Sequence, residues 1–459
     1  MNDPPARISL HDWDLRYASW SARGLRQTPH GGRLSQHVAD SESRLQELLL
    51  DHSTAALRLW DFVLGESQRL FAAETAGKPL VATMRDVGVA SVIAASLPDA
   101  VVFRPDAAWC MPLSMETGVC DALVADRCGI DASFCPARSV LGAMLSNVHF
   151  PPPRLLVCSA GAACDDFTAI AQRLESLGHP VCWWEMPRRR NPASAEPAIS
   201  LPAACTAPAS QVAFVRGQLG QLVARLEQAG SARLDDSALF RGISAANRLR
   251  RLLGELLAAV AAAPRCPLPA LETAMAELLA IHGCSDRDEA AAILENLLEE
   301  VRRRMDRGEG VVPDDAVRVF WVNPVVDLSV LNLLEQCGGR LCGSDCLFCQ
   351  AAEPIPDDLP PLEALARSAL ADPVVGPLAD RARRICERAI AARAEVVVIS
   401  RIPAARHCAL DALPLRRMIG RRLDVPVVQI TVPSEAWTLR TNLRPRLQGL
   451  IESARRRPA

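Results

Sequence analysis

Short unbroken apolar runs recur along this chain at Leu80-Val-Ala-Thr-Met, Val101-Val-Phe, Leu155-Leu-Val-Cys and Val181-Cys-Trp-Trp. An amphipathic stretch over 165–177, stopped by Gly178, separates the last two. Strands with no polar alternation, interleaved with helices, predict a parallel sheet covered on both faces. The same texture returns at Val317-Arg-Val-Phe-Trp-Val, near Arg340-Leu-Cys, at Val396-Val-Val-Ile and at Val427-Val-Gln-Ile, with helices expected over 328–336, 378–392 and 413–422. Between the two regions, from 212 to about 307, apolar residues follow helical spacing. Leu249, Leu252, Leu253, Leu256 and Leu257 mark one face there, and Ile293, Leu294, Leu297, Leu298 and Val301 another.

The pattern predicts an α/β protein. Two parallel-sheet, Rossmann-like domains over 78–210 and 312–459 are joined by a helical segment over 211–311, behind an N-terminal helical arm over 1–77. In the arm a helix is expected over 35–71. Its apolar residues Leu59, Trp60 and Val63 are expected to need cover from a second protein. The Pro/Ala-rich stretch 191–210 reads as a loop or linker.

Composition narrows the function classes. A chain of 459 residues exceeds one ordinary core. A net charge of −2 leaves no electrostatic footprint for nucleic acid. The N-terminus does not read as a signal peptide and no apolar run reaches spanning length, so a cytoplasmic protein without membrane contact is expected. The 16 cysteines are then expected to be thiols, for burial or for metal, not a disulfide framework. There is no phosphate-binding Gly-x-x-x-x-Gly-Lys-Ser/Thr loop and no dinucleotide fingerprint, so ATP or hydride chemistry is not expected of this chain.

Three of the cysteines stand where parallel strands end. Cys164 follows the third apolar run by a short Gly/Ala loop and opens a helix. Cys408 follows the Val396 run in the same way, and Cys135 lies between the second and third runs. Ligands of open parallel sheets bind beyond the carboxyl ends of the strands. Three thiolates suit a [4Fe-4S] cluster with one iron left open, or zinc with water as fourth ligand; spacing alone does not separate these from three buried thiols. Cys342, Cys346 and Cys349, with Cys337 nearby, form a denser second group that reads as a buried loop lining the pocket, a separate metal being the minor alternative. Asp165 and Asp166 suit a helix N-terminus or an outer role around a cluster. His407 and Glu185 are candidate proton carriers, and Arg188, Arg189 and Arg190 a candidate phosphate clamp.

Taken in order, Phe134-Cys-Pro-Ala-Arg-Ser, Ala163-Cys-Asp-Asp-Phe, Ile243-Ser-Ala-Ala-Asn-Arg-Leu-Arg, Phe320-Trp-Val-Asn-Pro, Gly343-Ser-Asp-Cys-Leu-Phe-Cys, Glu353-Pro-Ile-Pro-Asp-Asp and Arg406-His-Cys resemble the 2-hydroxyacyl-CoA dehydratase and benzoyl-CoA reductase family. The resemblance covers roughly residues 78–455. It implies a [4Fe-4S] cluster on Cys135, Cys164 and Cys408, a homologous second subunit, and a separate ATP-dependent iron–sulfur activator that injects a low-potential electron. It also implies an acyl-CoA substrate that undergoes water loss or ring reduction in an oxygen-sensitive enzyme. Pro136 stands where such proteins often have serine, and 191–210 looks like an insertion. The Gly343 loop with Glu353-Pro-Ile-Pro-Asp-Asp leans the reading toward the reductase branch, a dehydratase being the alternative. A cluster-carrying relay protein and a zinc-binding structural protein are the alternatives of other classes.

Overall fold

The computed structural model describes residues 48–84, 87–105, 124–147, 150–162, 164–230, 232–283, 285–325, 327–346, 353–432 and 436–456. The elements begin with α1 (Thr54–Leu64), α2 (Glu66–Thr75), β1 (Leu80–Met84), α3 (Ala90–Ala94), β2 (Val101–Phe103), α4 (Ser139–Ser146), β3 (Leu155–Gly161), α5 (Asp165–Ser176) and β4 (Val181–Met186). A hairpin, β5 (Ala198–Leu201) and β6 (Cys205–Pro208), leads to four long helices: α6 (Ala209–Gly230), α7 (Asp236–Ala262), α8 (Ala270–His282) and α9 (Arg287–Arg307). The remainder is β7 (Val317–Val322), α10 (Ser329–Gln336), β8 (Gly339–Asp345), α11 (Pro361–Leu370), α12 (Leu378–Ala391), β9 (Val396–Arg401), α13 (Arg406–Gly420), β10 (Val427–Thr431) and α14 (Ala436–Arg455).

Two four-stranded parallel sheets result, as the apolar runs predict. Their orders are β2-β1-β3-β4 and β10-β9-β7-β8. Counted along the chain within each sheet, both read second-first-third-fourth. The repeat is therefore one of topology, and each sheet has a switch point between its first and third strands. Every residue of β1 is buried, because helices cover both faces.

Alternate side chains along the strands feed opposite layers. Val81, Val157 and Trp184 face α6 and α11, while Ala82, Met84 and Leu156 face α4 and α5. In the second sheet Val319, Trp321 and Val398 pack with α1, α8 and α9, and Phe320, Val397 and Ile399 with α12 and α13. Helix α7, about 40 Å long at 1.5 Å per residue, serves both units. Leu239 and Ile243 join the layer of the first sheet, and Leu249, Leu253 and Leu256 that of the second.

Three expectations need correction. The helix predicted over 35–71 does not run through its described part. Residues 48–53 precede α1, whose N-cap is Ser53, and Gly65 separates α1 from α2; residues 35–47 lie outside the described residues. Leu59 and Trp60 need no second protein, since both are completely buried in the layer formed with α8 and α9. The 191–210 stretch is not a plain linker: Ala198–Leu201 pairs antiparallel with Cys205–Pro208. In addition, α13 begins at Arg406, seven residues before the expected start, and carries Pro414 within it.

Candidate functional site

Cys164 is the N-cap of α5, in extended conformation. Its carbonyl accepts the Thr168 N–H at 3.2 Å and the Thr168 hydroxyl at 2.9 Å, which anchors the first turn. Asp165 and Asp166 follow, acidic residues at the positive end of the helix dipole. Asp166 is buried, and its carboxylate accepts the Cys135 backbone N–H at 3.4 Å. That bond holds the segment carrying Cys135 against the helix carrying Cys164. Cys135 itself opens a 3₁₀ turn over Pro136–Arg138. Pro136 suits this first position, where an N–H would have no partner within the turn.

Cys408 is the third residue of α13, four residues past the turn at Ala404 that follows β9. It is buried, and with Ile402 and Ala405 it forms a small apolar cluster against which Cys135 packs. Cys164 and Cys408 thus occupy equivalent places, each behind the third strand of its sheet, and the two sheet ends meet at Cys135. Burial pushes the Cys135 thiol up; the neighbouring charges of Cys164, Asp166 and Cys408 add to this, and the Ala137 N–H works against it. Among the described residues no group of three or more His, Cys, Asp and Glu side chains is drawn in to metal-ligating spacing. The three sulfurs share one neighbourhood without closing on a common point.

The donor set nonetheless suits a soft metal centre. Three thiols approach from three segments, two of them buried, and Cys164 and Cys408 add to the cost of ionising Cys135. Like charges gathered in a low-dielectric site call for a cation.

Glycine at the mouth of the Cys164 loop is required. Gly161 ends β3 at φ +95°, and a Cβ there would stand 2.5 Å from the Met186 carbonyl oxygen. Gly161→Ala is expected to destabilise the protein by about 1–3 kcal/mol and to lower its metal loading. Chemical denaturation together with metal analysis checks this; unchanged stability and loading would show that the loop tolerates a side chain.

The other sequence candidates scatter. Glu185 lies on the exposed side of β4, and its backbone N–H donates to Gln218 Oε1 at 2.9 Å. His407 falls in the first turn of α13, with its side chain outside the description. Of the arginine run, Arg189 is buried, donating to Asp380 at 2.6 Å and to the Thr206 carbonyl at 3.1 Å. Arg190 pairs with Glu196. Two of the three are thereby committed inside the chain. The third, Arg188, acts on Asp411 of α13, whose carboxyl is pushed up by burial against the pull of Arg381 and Arg188. In the second cysteine group Cys342 lies inside β8, where burial pushes its thiol up to about 12. Cys346 is buried past the strand end, Cys337 is half-buried, and Cys349 lies outside the described residues.

Several buried polar residues have structural roles that the sequence pattern does not give. Asn247 and Arg250 of α7 are buried. Asn247 exchanges two hydrogen bonds of 2.8 Å with the backbone of Ile355. Arg250 donates to the carbonyls of Glu353 at 2.8 Å and Gly88 at 2.7 Å. The Ile243–Arg250 motif therefore ties the segment leaving β8 to the loop leaving β1. On the opposite side, Glu277 of α8 is fully enclosed and accepts the Ser344 hydroxyl at 2.5 and 2.8 Å. Burial pushes its carboxyl up despite that bond and Arg388. None of these roles has a sequence signal beyond a polar residue in an apolar face.

No helix among the described residues is long and apolar enough to cross a membrane. No curated protein matches the chain. A family model, that of the 2-hydroxyglutaryl-CoA dehydratase D-component, matches residues 106–454, a span that contains Cys135, Cys164, Cys408 and both of their sheets except β1 and β2. A match over most of the chain places this protein in the 2-hydroxyglutaryl-CoA dehydratase D-component family.

Proposed function

We propose that this chain is the iron–sulfur subunit of a 2-hydroxyacyl-CoA dehydratase, holding one [4Fe-4S] cluster on Cys135, Cys164 and Cys408. The observation that carries the reading is the common neighbourhood of these three sulfurs at the carboxyl ends of two parallel sheets. When bound, such a cluster offers an iron without a protein ligand, able to polarise a thioester carbonyl and to take part in one-electron chemistry. The chain's residues supply the setting. The amides that open α5 favour the Cys164 thiolate. Ile402 and Ala405 shield Cys408 from water, and the Asp166 bond fixes the approach of Cys135.

An acyl-CoA is the substrate in this reading, and the partners are a homologous second subunit and an ATP-dependent iron–sulfur activator. Leu410 and Leu413, exposed on α13 within two turns of Cys408, suit a surface covered by one of them. The test combines the chain, its partner subunit, an activator, ATP and a strong reductant. A 2-hydroxyacyl-CoA should lose water to give an enoyl-CoA. A dienoyl-CoA from benzoyl-CoA would select the reductase branch, toward which the Gly343 loop leans. Product from neither would contradict the enzyme and leave a cluster-carrying relay.

A further inference from the structure

We infer that Arg381 is the positioning residue that sets where Cys408 stands, by locking the carboxyl ends of the strands that carry it; the inference rests on the cluster reading above. Arg381 projects from α12 and is almost completely buried, with 1% of its surface exposed. Its fork is divided among three segments. Nε donates to Asp345 Oδ2 at 2.8 Å, at the end of β8. Nη2 donates to Asn323 Oδ1 at 2.7 Å, directly past the end of β7. Nη1 faces Asp411 Oδ2 at 3.9 Å, on α13, one turn beyond Cys408.

Asn323 extends the lock. It adopts a left-handed backbone at φ +72°, a conformation that asparagine tolerates better than most residues. Its N–H donates to the Asp345 carbonyl at 2.9 Å, and its Nδ2 donates to the Ser400 carbonyl at 2.8 Å. Ser400, in β9, returns its hydroxyl to the carbonyls of Val322 at 3.1 Å and Pro324 at 2.9 Å. The ends of β8, β7 and β9 are therefore bound together around one guanidinium, at the switch point of the second sheet. Two routes lead from it to Cys408: through Asn323 and Ser400 into the strand before it, and through Asp411 into the helix that bears it. Asp345 also directly precedes Cys346, so one cysteine of the second group adjoins the same lock.

Such a cluster is a weak way to gain stability, since apolar packing of similar volume serves as well. It is a good way to fix geometry. A planar fork with five donors satisfies several acceptors in set directions, which a lysine ammonium, a point charge on a flexible stem, does not.

The experiment uses the full chain, reconstituted anaerobically with iron and sulfide, and follows iron release to a ferrous chelator with the cluster's electron paramagnetic resonance spectrum. Circular dichroism of the apo protein reports the fold separately. Arg381→Lys keeps the charge and loses the fork. It is expected to remain folded yet release iron about 10-fold faster or more, the scale for groups that orient metal ligands, with an altered spectrum. Asp411→Asn, which weakens the link to α13 along with the charge that faces Arg188 and leaves the rest of the Arg381 fork in place, should accelerate release less and shift the spectrum in the same sense. Wild-type release and spectrum in both variants would overturn the inference; if Arg381→Lys does not fold, Asp411→Asn alone decides. A wild-type chain that takes up no cluster overturns the cluster reading and this inference together. A loaded wild type with unaffected variants overturns only the inference.

Discussion

Cys164→Ala is expected to remove the iron–sulfur absorption of the protein and to bring turnover of the acyl-CoA to background. Cys164 caps α5 and is, with Asp166 and Cys408, one of the groups whose charge acts on Cys135. In the proposed cluster, metal affinity and site closure are coupled, because three sulfurs from three segments would hold one centre. Loss of one thiolate therefore weakens the hold of the other two. Cys135→Ala and Cys408→Ala should act alike. Cys182, in β4 facing α6, and Cys386, on α12 beneath the second sheet, sit in apolar layers and should leave iron content unchanged when replaced. Cys120, outside the described residues, is expected to do the same. The measurement is iron and acid-labile sulfide in anaerobically purified variants. Iron retained in Cys164→Ala at the wild-type level would sink the ligand assignment, whichever substrate the enzyme takes.

The largest effect on stability is expected far from the site, at Asp51. Arg304 of α9 is completely buried and grips Asp51 with two bonds of 2.7 and 2.9 Å, while also donating to the Pro267 carbonyl at 3.0 Å and Glu300 at 2.6 Å. The Asp51 N–H donates to Glu272 Oε1 at 2.9 Å, an oxygen that also accepts Trp60 Nε1 at 3.1 Å. Asp51 thus joins the segment before α1 to α9 through its carboxylate and to α8 through its backbone N–H. Asp51→Ala removes half of a buried pair and leaves the guanidinium charge incompletely matched, at a cost of about 3–5 kcal/mol. Burial pushes the Asp51 carboxyl up, but the hydrogen bonds and charge of Arg304, with help from Ser53, more than offset this and hold it below its usual range. The native value lies below the unfolded one, so the contribution is complete above about pH 4. It is lost as pH falls further, through the native value. Urea denaturation of wild type and Asp51→Asn at neutral and acid pH reads this directly. The gap between the two proteins should narrow only in acid; a gap that persists unchanged there counts against the pair.

How much of this was legible in the sequence depends on the kind of signal. Buried parallel strands announce themselves, since Val396-Val-Val-Ile has no solvent side to alternate with. The strand starts at Leu80, Val101, Leu155, Val181, Val317, Val396 and Val427 all follow from apolar runs. Breaks within helical patterns were harder. The face containing Leu48, Trp60 and Val63 looks continuous, yet Gly65 interrupts it and 48–53 is bent away to place Asp51 against Arg304. Helical periodicity carries no information about such a long-range pair. The hairpin within 191–210 was hidden for a related reason: the two strands are four residues each and rich in alanine and proline.

The cysteines could be placed at strand ends because a strand followed by a short loop and a helix fixes where the loop lies. Their mutual approach has no local signal, because it depends on how two sheets, separated by the 130 residues between Met186 and Val317, meet across α7. The same holds for Arg381. In sequence it is one of several arginines on an amphipathic helix, and nothing local distinguishes it from the half-buried Arg383 pairing with Glu387 on the next turn. Asn323 was more visible, as the polar end of an otherwise apolar run, Phe320-Trp-Val-Asn-Pro.

One proposed centre at the meeting of the two sheets carries the chemistry, and metal content in protein purified without oxygen tests it most directly. About four irons and four acid-labile sulfides per chain are expected, the content of a single [4Fe-4S] cluster. Zinc without sulfide, in protein never exposed to air, would contradict it.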